Sequence, residues 1–257
     1  MRWEELSVPE IQQLDRDRTI LLLPIGSVEQ HGHHLPLGTD TMLAVSVSCA
    51  AADRLNGRVA VLPPPWYGFS PHHMHFAGTV TLRVETLMKL VEDISESVIA
   101  HGFHRLLIVN GHGGNIGLID VLSSTLGHKF RGKARIATLT YFQLARDAIA
   151  KLRKSQPGGM GHACEFETAM MQYIHPNLVA IDRAKVTYPQ TGSAYLSTDL
   201  LGGSRVRTYH DFSDLSESGT LGDPILASRE AGVEFHSAVV DELIKFIEDF
   251  AQWPVLA

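Results

Sequence analysis

From Ile20 onward, short apolar runs alternate with longer stretches in which apolar positions recur at helical spacing. The short runs are Ile20–Ile25, 59–62, Arg105–Asn110 and 134–140. Rich in β-branched residues and leucine, they predict buried strands. The longer stretches predict helices. One starts at Thr41 behind Thr39 or Asp40 as a cap and stops near Gly57. A second runs from 84 to about 101 and is closed by Gly102, and a third follows Asn115 through IGLIDVLSSTL. The helix opened by Glu165 runs to Ile174, ahead of Pro176, and the last begins near Pro224 and continues through DELIKFIEDF. Regular alternation of this kind predicts a doubly wound, mostly parallel sheet in an α/β protein. A chain of 257 residues fits one such domain, 1–257, better than two small ones.

Two segments fall outside the alternation. Residues 63–79, PPPWYGFSPHHMHFAGT, hold too much proline and glycine for a regular element and too many aromatics for a plain linker, so they are read as a pocket wall. Trp66, Tyr67, His73 and Phe76 are its candidate substrate contacts. Residues 190–222 form a long loop rich in Gly, Ser, Thr and Asp, the composition of a lid, binding loop or oligomer contact.

Composition narrows the partners. With 44% apolar and 19% charged residues the chain has the balance of a soluble globular protein, and no apolar run approaches the length of a bilayer span. The acidic N-terminal stretch lacks the form of a secretion signal, so a cytoplasmic location is expected. A net charge of −6 with scattered basic residues argues against nucleic acid. Cys49 and Cys164 suggest no disulfide framework. Histidine stands out: 14 residues, many of them in glycine- or proline-rich loops.

Three strand-end loops gather the chemistry. GSVEQHGHHLPLGTD, 26–40, follows the first strand and carries Glu29, His31 and Asp40, a mixture of oxygen and imidazole suited to zinc, manganese or iron(II) rather than calcium. NGHGGN, 110–115, places His112 between a strand and a helix and lacks the phosphate-binding glycine patterns. GGMGHACEFET, 158–168, delivers His162, Glu165 and Glu167 at a helix start. Two residues apart, Glu165 and Glu167 cannot share a helical face. A favourable charge on the helix dipole suits Glu167 better than Glu165, and at most one of the pair is expected to point squarely at a common site. Cys164 is read as a packing residue. His72, His73 and His75 include no carboxylate of their own, and ligand packing is preferred for them over a separate metal site.

Taken together, GSVEQHGHHLPLGTD, NGHGGN, GHACEFET and GTLGDPILASREAG resemble the creatininase (creatinine amidohydrolase) family from about Leu21 to the last helix. The resemblance implies a creatininase-like, three-layer α/β/α fold and two divalent ions, Zn, Mn or Fe(II). Glu29 and His112 would hold one ion, His31 and Glu165 the other, with Asp40 bridging and His162 beside the reacting group. Creatinine hydrolysers resemble GHYEN where this chain has GHGGN, so the glutamate that serves their second metal falls on Gly114, and Glu165 is its expected substitute. His33 and Cys164 are smaller departures, at positions where many relatives carry proline and glycine. A homo-oligomer, hexameric in the family, is implied as well.

The activity implied is hydrolysis of a C–N bond in a small cyclic amide, formamide or related small molecule by a metal-activated water, with His162 and Glu165 in catalytic roles. Deformylation of a pyrimidine nucleotide precursor and trimming of a peptide during redox-cofactor maturation are the enzymatic alternatives. A non-catalytic metal-binding scaffold is the alternative of another class. No tight Arg or Lys cluster is present for a phosphate, although Arg205 and Arg207 lie in the long loop.

Overall fold

The computed structural model describes residues 1–255. Its centre is a parallel sheet of β1 (Ile20–Ile25), β2 (Val59–Val61), β3 (Arg105–Asn110) and β4 (Arg135–Thr140), in the order β2-β1-β3-β4. All four predicted strands form, two of them shortened by a residue at one end.

Alternate residues along the strands bury in opposite directions, as the two-residue period of a strand requires. Ile20, Leu22, Leu107 and Val109 join one core cluster, while Leu21, Leu23, Leu106 and Ile108 join the other. The chain therefore needs a helical layer on each face. The helices are α1 (Val8–Gln13), α2 (Thr39–Arg54), α3 (Val84–Ala100), α4 (Ile116–Lys129), α5 (Tyr141–Leu144), α6 (Arg146–Leu152), α7 (Glu165–Ile174) and α8 (Arg229–Phe250). Residues of α2, α7 and α8 pack in the first cluster and residues of α3 and α4 in the second, which gives the three-layer α/β/α arrangement. A short antiparallel pair, β5 (Met160–His162) with β6 (Leu221–Gly222), stands apart from the main sheet.

Pro24 sits in a central strand without breaking it. Pairing of β1 with β2 ends at Leu22, and Leu62 donates to the Leu22 carbonyl. Because alternate residues of a parallel strand bond to opposite sides, the missing N–H of Pro24 falls on the side where β2 has already ended.

Two predicted helix starts differ in detail. Pro224–Leu226 is a separate 3-10 turn, and α8 begins after Ser228, whose hydroxyl accepts from the Ala231 amide at 3.1 Å. At α2 neither Thr39 nor Asp40 caps the helix. Gly38 takes the cap position, the Thr39 hydroxyl donates to the Pro36 carbonyl at 2.7 Å, and Asp40 turns to the imidazoles described below. A carboxylate recruited into a charged cluster is no longer available to its own helix.

The strand order matters for placement. From β1 the chain proceeds to β2 on one side, and from β3 to β4 on the other, so the carboxyl ends of β1 and β3 flank the topological switch point where open α/β sheets place ligands. Loop 26–40 follows β1 and loop 110–115 follows β3, so Glu29, His31, Asp40 and His112 arrive at one edge. Gly26 permits this closeness, since a Cβ there would lie 2.4 Å from the Thr41 amide nitrogen. Among the described residues no helix is long and apolar enough to cross a membrane.

Candidate metal centre

Asp40 stands at the middle of the cluster. One of its oxygens, Oδ1, accepts from His31 Nε2 at 3.0 Å, while Oδ2 lies 2.9 Å from His112 Nδ1. Glu29 extends the cluster: its Oε2 is 3.2 Å from His112 Nδ1, and its Oε1 is 3.2 Å from His73 Nε2 and 3.7 Å from His162 Nδ1. The Ser70 hydroxyl donates to Oε2 of the same carboxylate. Glu167 closes the far side, with Oε1 at 4.0 Å from His31 Nε2. Every one of these side chains is buried.

Three imidazoles are oriented from outside. His31 Nδ1 donates to the Glu29 carbonyl at 3.2 Å, His112 Nε2 to the Phe69 carbonyl at 3.1 Å, and His162 Nε2 to the Gln30 carbonyl at 2.7 Å. Each therefore turns its other ring nitrogen inward, the outer-sphere pattern that fixes a metal-binding histidine. Gln30 also donates through Nε2 to His73 Nδ1 at 2.7 Å, so a single residue positions two rings.

The inward atoms pose a physical problem. Carboxylate oxygens and imidazole lone pairs are both acceptors, and in a buried site they are reconciled only by a proton or a cation between them. Glu29 Oε1 and Asp40 Oδ2 are buried without a hydrogen bond, despite the imidazoles beside them. The groups Glu29/His31/His162, Glu29/His72/His112 and His31/Asp40/Glu167 each bring three ligand atoms within 4.8 Å of one another. The donors are oxygen and imidazole without thiolate, a set suited to zinc, manganese or iron(II).

Protonation shows the same tension. Burial would lower His31, but Asp40, by charge and hydrogen bond, then Glu167 and Glu29, carry it up to about 9. Burial is likewise outweighed at His112, which Glu29 and Asp40 hold well above the usual imidazole range. For Glu29, burial is opposed by His112 and His73, which bring it well below the carboxylate range. Burial raises Glu167 to about 7, with Asp40 adding to the rise and His31 opposing it. His162 is driven well below the imidazole range by burial, then by His31 and His73. His72 falls to about 3 through burial, then His73 and His112. The cluster thus mixes proton-rich and proton-poor rings within one small volume.

The expected ligand Glu165 lies elsewhere. Its two oxygens accept the Lys154 and Ser155 amides, each at 2.8 Å, so it ties the segment after α6 to the start of α7. Glu167, two residues on, faces His31 and also accepts the Cys164 amide at 3.3 Å. Of the pair, Glu167 rather than the expected Glu165 lies against the cluster. All residues from Glu165 to Met171 are buried, so hydrophobic periodicity carried no facing signal, and the amides that capture Glu165 come from a distant loop. Between His162 and Cys164, Ala163 adopts φ 48°, a left-handed conformation costly for a residue with a Cβ, and thereby turns the chain from β5 into α7.

Above the cluster opens a cavity of about 440 Å³. Its floor includes Glu29, Asp40, His112, His162 and Glu167; its roof is drawn from residues 191–215, with Leu196, Ser197, Thr198, Arg207, Tyr209 and Phe212 among them. The long loop is therefore a wall of the cavity.

The other proposed wall is only partly so. His73 lines the cavity and faces Glu29, but Trp66, Tyr67 and Phe76 are not among its lining residues. Trp66 lies over Gly38 at the start of α2, Tyr67 is 46% exposed, and Phe76 packs edge-on against His75. His72 also lines the cavity, and the carboxylate missing from the PHHMH segment is supplied by Glu29 from another loop. The sequence singles out neither Gln30 nor Ser70, and it suggests ligand packing for His72 and a helix-dipole charge for Glu167. Glu167 had a signal it shared with Glu165, a carboxylate in the first turn of a helix with a largely apolar sequence, which burial obliges to find a partner.

Residues 4–247 match the creatininase family, described as creatinine amidohydrolase. Over 256 residues the chain is 34% identical to the mycofactocin precursor peptide peptidase of Mycobacterium ulcerans (strain Agy99), covering 97% of this chain and 91% of that protein. It is 30% identical to the creatinine amidohydrolase of Pseudomonas putida over 226 residues, 83% of this chain and 82% of the relative. A solved structure described as creatininase Mn superposes with a TM-score of 0.80 at 29% identity, covering 96% of this chain and 97% of the other. The chain belongs to the creatininase family, metal-dependent hydrolases of amide or peptide-type C–N bonds.

Proposed function

We propose that this chain hydrolyses an amide C–N bond at a binuclear metal centre bridged by Asp40, and that its substrate is a peptide-like amide larger than creatinine. The observation that carries the first part is the division of Asp40, one oxygen toward His31 and the other toward His112. On this reading Glu29, Asp40 and His112 hold one ion, and His31, Asp40 and Glu167 hold the other. When bound, such ions lower the pKa of a coordinated water toward neutrality and polarise the carbonyl under attack.

The chain's own groups do the remaining work. His31, His112 and Glu167 are pre-oriented by backbone partners and Glu29 by the Ser70 hydroxyl, so little reorganisation accompanies loading. His162 is held through Nε2 to Gln30, which leaves Nδ1 at the cavity floor to carry a proton to the departing nitrogen. The roof from 191 to 215 shields the floor from bulk water and contacts the rest of the substrate.

Substrate size is supported by the cavity, whose volume lies in the range that encloses drug-sized ligands. The relatives named mycofactocin precursor peptide peptidase match nearly the full chain and favour the peptide-trimming alternative over a small cyclic amide or a formamide. A homo-oligomer belongs to the same proposal and is read by light scattering. The functional test is metal-dependent turnover. Chelated protein is reconstituted with Zn²⁺, Mn²⁺ or Fe²⁺ and assayed against creatinine, formamides, lactams and short peptides. Metal-restored cleavage of a short peptide supports the reading. Metal-restored turnover of creatinine alone removes the substrate part, and metal binding without any turnover favours a scaffold.

A further inference from the structure

Gly114 and His72 occupy one space. A Cβ on Gly114 would stand 2.7 Å from His72 Cε1 and 2.4 Å from His112 Nε2, so the glycine leaves room for no side chain there. What fills the space is the His72 ring, stacked at an interplanar angle of 4° on His112 with ring centroids 5.7 Å apart. His72 is also wedged against His73 at 4.4 Å and Phe212 at 5.1 Å, so its ring is held from three directions. Among the described residues it has no hydrogen-bond partner, whereas the rings of His31, His73, His112 and His162 each make at least one bond through a ring nitrogen. A ring nitrogen of His72 nevertheless lies within 4.8 Å of ligand atoms of both Glu29 and His112.

Resting on the binuclear reading, we infer that His72 is an additional protein ligand of the ion held by Glu29 and His112, admitted by the bare backbone at Gly114. Two consequences follow from the geometry. The Glu29–His112 side would carry two imidazoles and two carboxylates, a fuller protein donor set than the Glu167 side. Phe212, from the roof, presses on His72 and so couples the cavity wall to that ion.

The test is calorimetric titration of the chelated full-length chain with Zn²⁺, paired with visible absorption of the Co²⁺-substituted protein. His72→Ala and His72→Asn are compared with His75→Ala, an exposed neighbour in the same loop, as control. Loss of an outer-sphere partner already costs about 10- to 100-fold in metal affinity, so loss of a ligand is expected to weaken one Zn²⁺ step by about 100-fold or more. The other step stays in place, and the Co²⁺ band intensity changes for one ion only. His75→Ala leaves both steps unchanged. Zn²⁺ affinities within about threefold of wild type in both His72 variants, with an unaltered Co²⁺ spectrum, overturn the inference, whether or not KM rises. If the wild type takes up a single ion whose affinity falls in His72→Ala, the binuclear reading fails while the ligand role of His72 stands. If it takes up two and neither responds, the reverse is true.

Discussion

The floor and the roof of the cavity are built on opposite principles. The floor, at the carboxyl ends of β1 and β3, packs Glu29, His31, Asp40 and His112 into a buried volume where nearly every ring has an outside partner and every carboxylate faces a ring. The roof, 191–215, is mostly exposed and relies on hydroxyls, the two arginines Arg205 and Arg207 and scattered aromatics. Buried opposing charges tolerate almost no rearrangement, because removing one member strands the others in low dielectric. An exposed loop can change its side chains at little cost to the fold. The comparison assigns the chemistry to the floor and the choice of substrate to the roof.

The strongest way to break that division is at Asp40 and His162. Asp40→Ala is expected to lose most bound metal by elemental analysis and essentially all turnover; full metal content would remove Asp40 from the centre. His162→Ala should keep its metal while kcat falls by roughly 10² to 10⁴. Unchanged kcat would end its role as proton carrier, and lost metal would make it a ligand instead.

The two glutamates sharpen the comparison within the floor. Glu167→Gln is expected to release one ion with a modest change in Tm. Glu165→Gln should keep both ions yet destabilise the chain by roughly 1–3 kcal/mol, because a buried carboxylate holding two amides is weakened. Metal loss in Glu165→Gln with none in Glu167→Gln would restore the original assignment.

A change in the roof should read differently. Arg207→Ala is expected to raise KM several-fold with metal content unchanged and kcat close to wild type. A collapse of kcat there would carry the chemistry into the roof.

The smallest effect concerns protons. In metal-free protein His31, at about 9, and His112, well above its usual range, are raised relative to the unfolded chain. Their stabilisation is complete below pH 6.5 and is lost as pH climbs through the folded values. Glu167, at about 7, adds to the loss at the lower end of this window. His162 and His72 are depressed and act only below 6.5, where they work in the opposite direction. Between pH 6.5 and 9 the Tm of metal-free protein should therefore fall. Bound ions displace these protons, so the rise in Tm on adding Zn²⁺ should grow with pH, and a constant rise would contradict the assignment.

Much of this was legible in the chain. Apolar runs located all four strands of the main sheet because β1, β2 and β3 are buried on both faces, β4 is half-buried and each is bounded by loops, and the α7 limits followed from Glu165 and Pro176. Glu29, His31, Asp40 and His112, which the structure brings into one cluster, stood out because they lie in short loops with little other reason to hold them. What escaped depends on contacts remote in sequence. Glu165 is captured by the 154 and 155 amides, His72 gains its carboxylate from Glu29, and Trp66 turns away over Gly38. The short elements α1, α5, α6, β5 and β6 carry too few residues for a periodic signal.

Anomalous diffraction from Mn²⁺- or Zn²⁺-loaded crystals tests the central claim most directly. The account predicts two peaks on opposite sides of the Asp40 carboxylate, one against Glu29 and His112 and the other against His31 and Glu167. A single peak, or two peaks neither shared by Asp40, would contradict it.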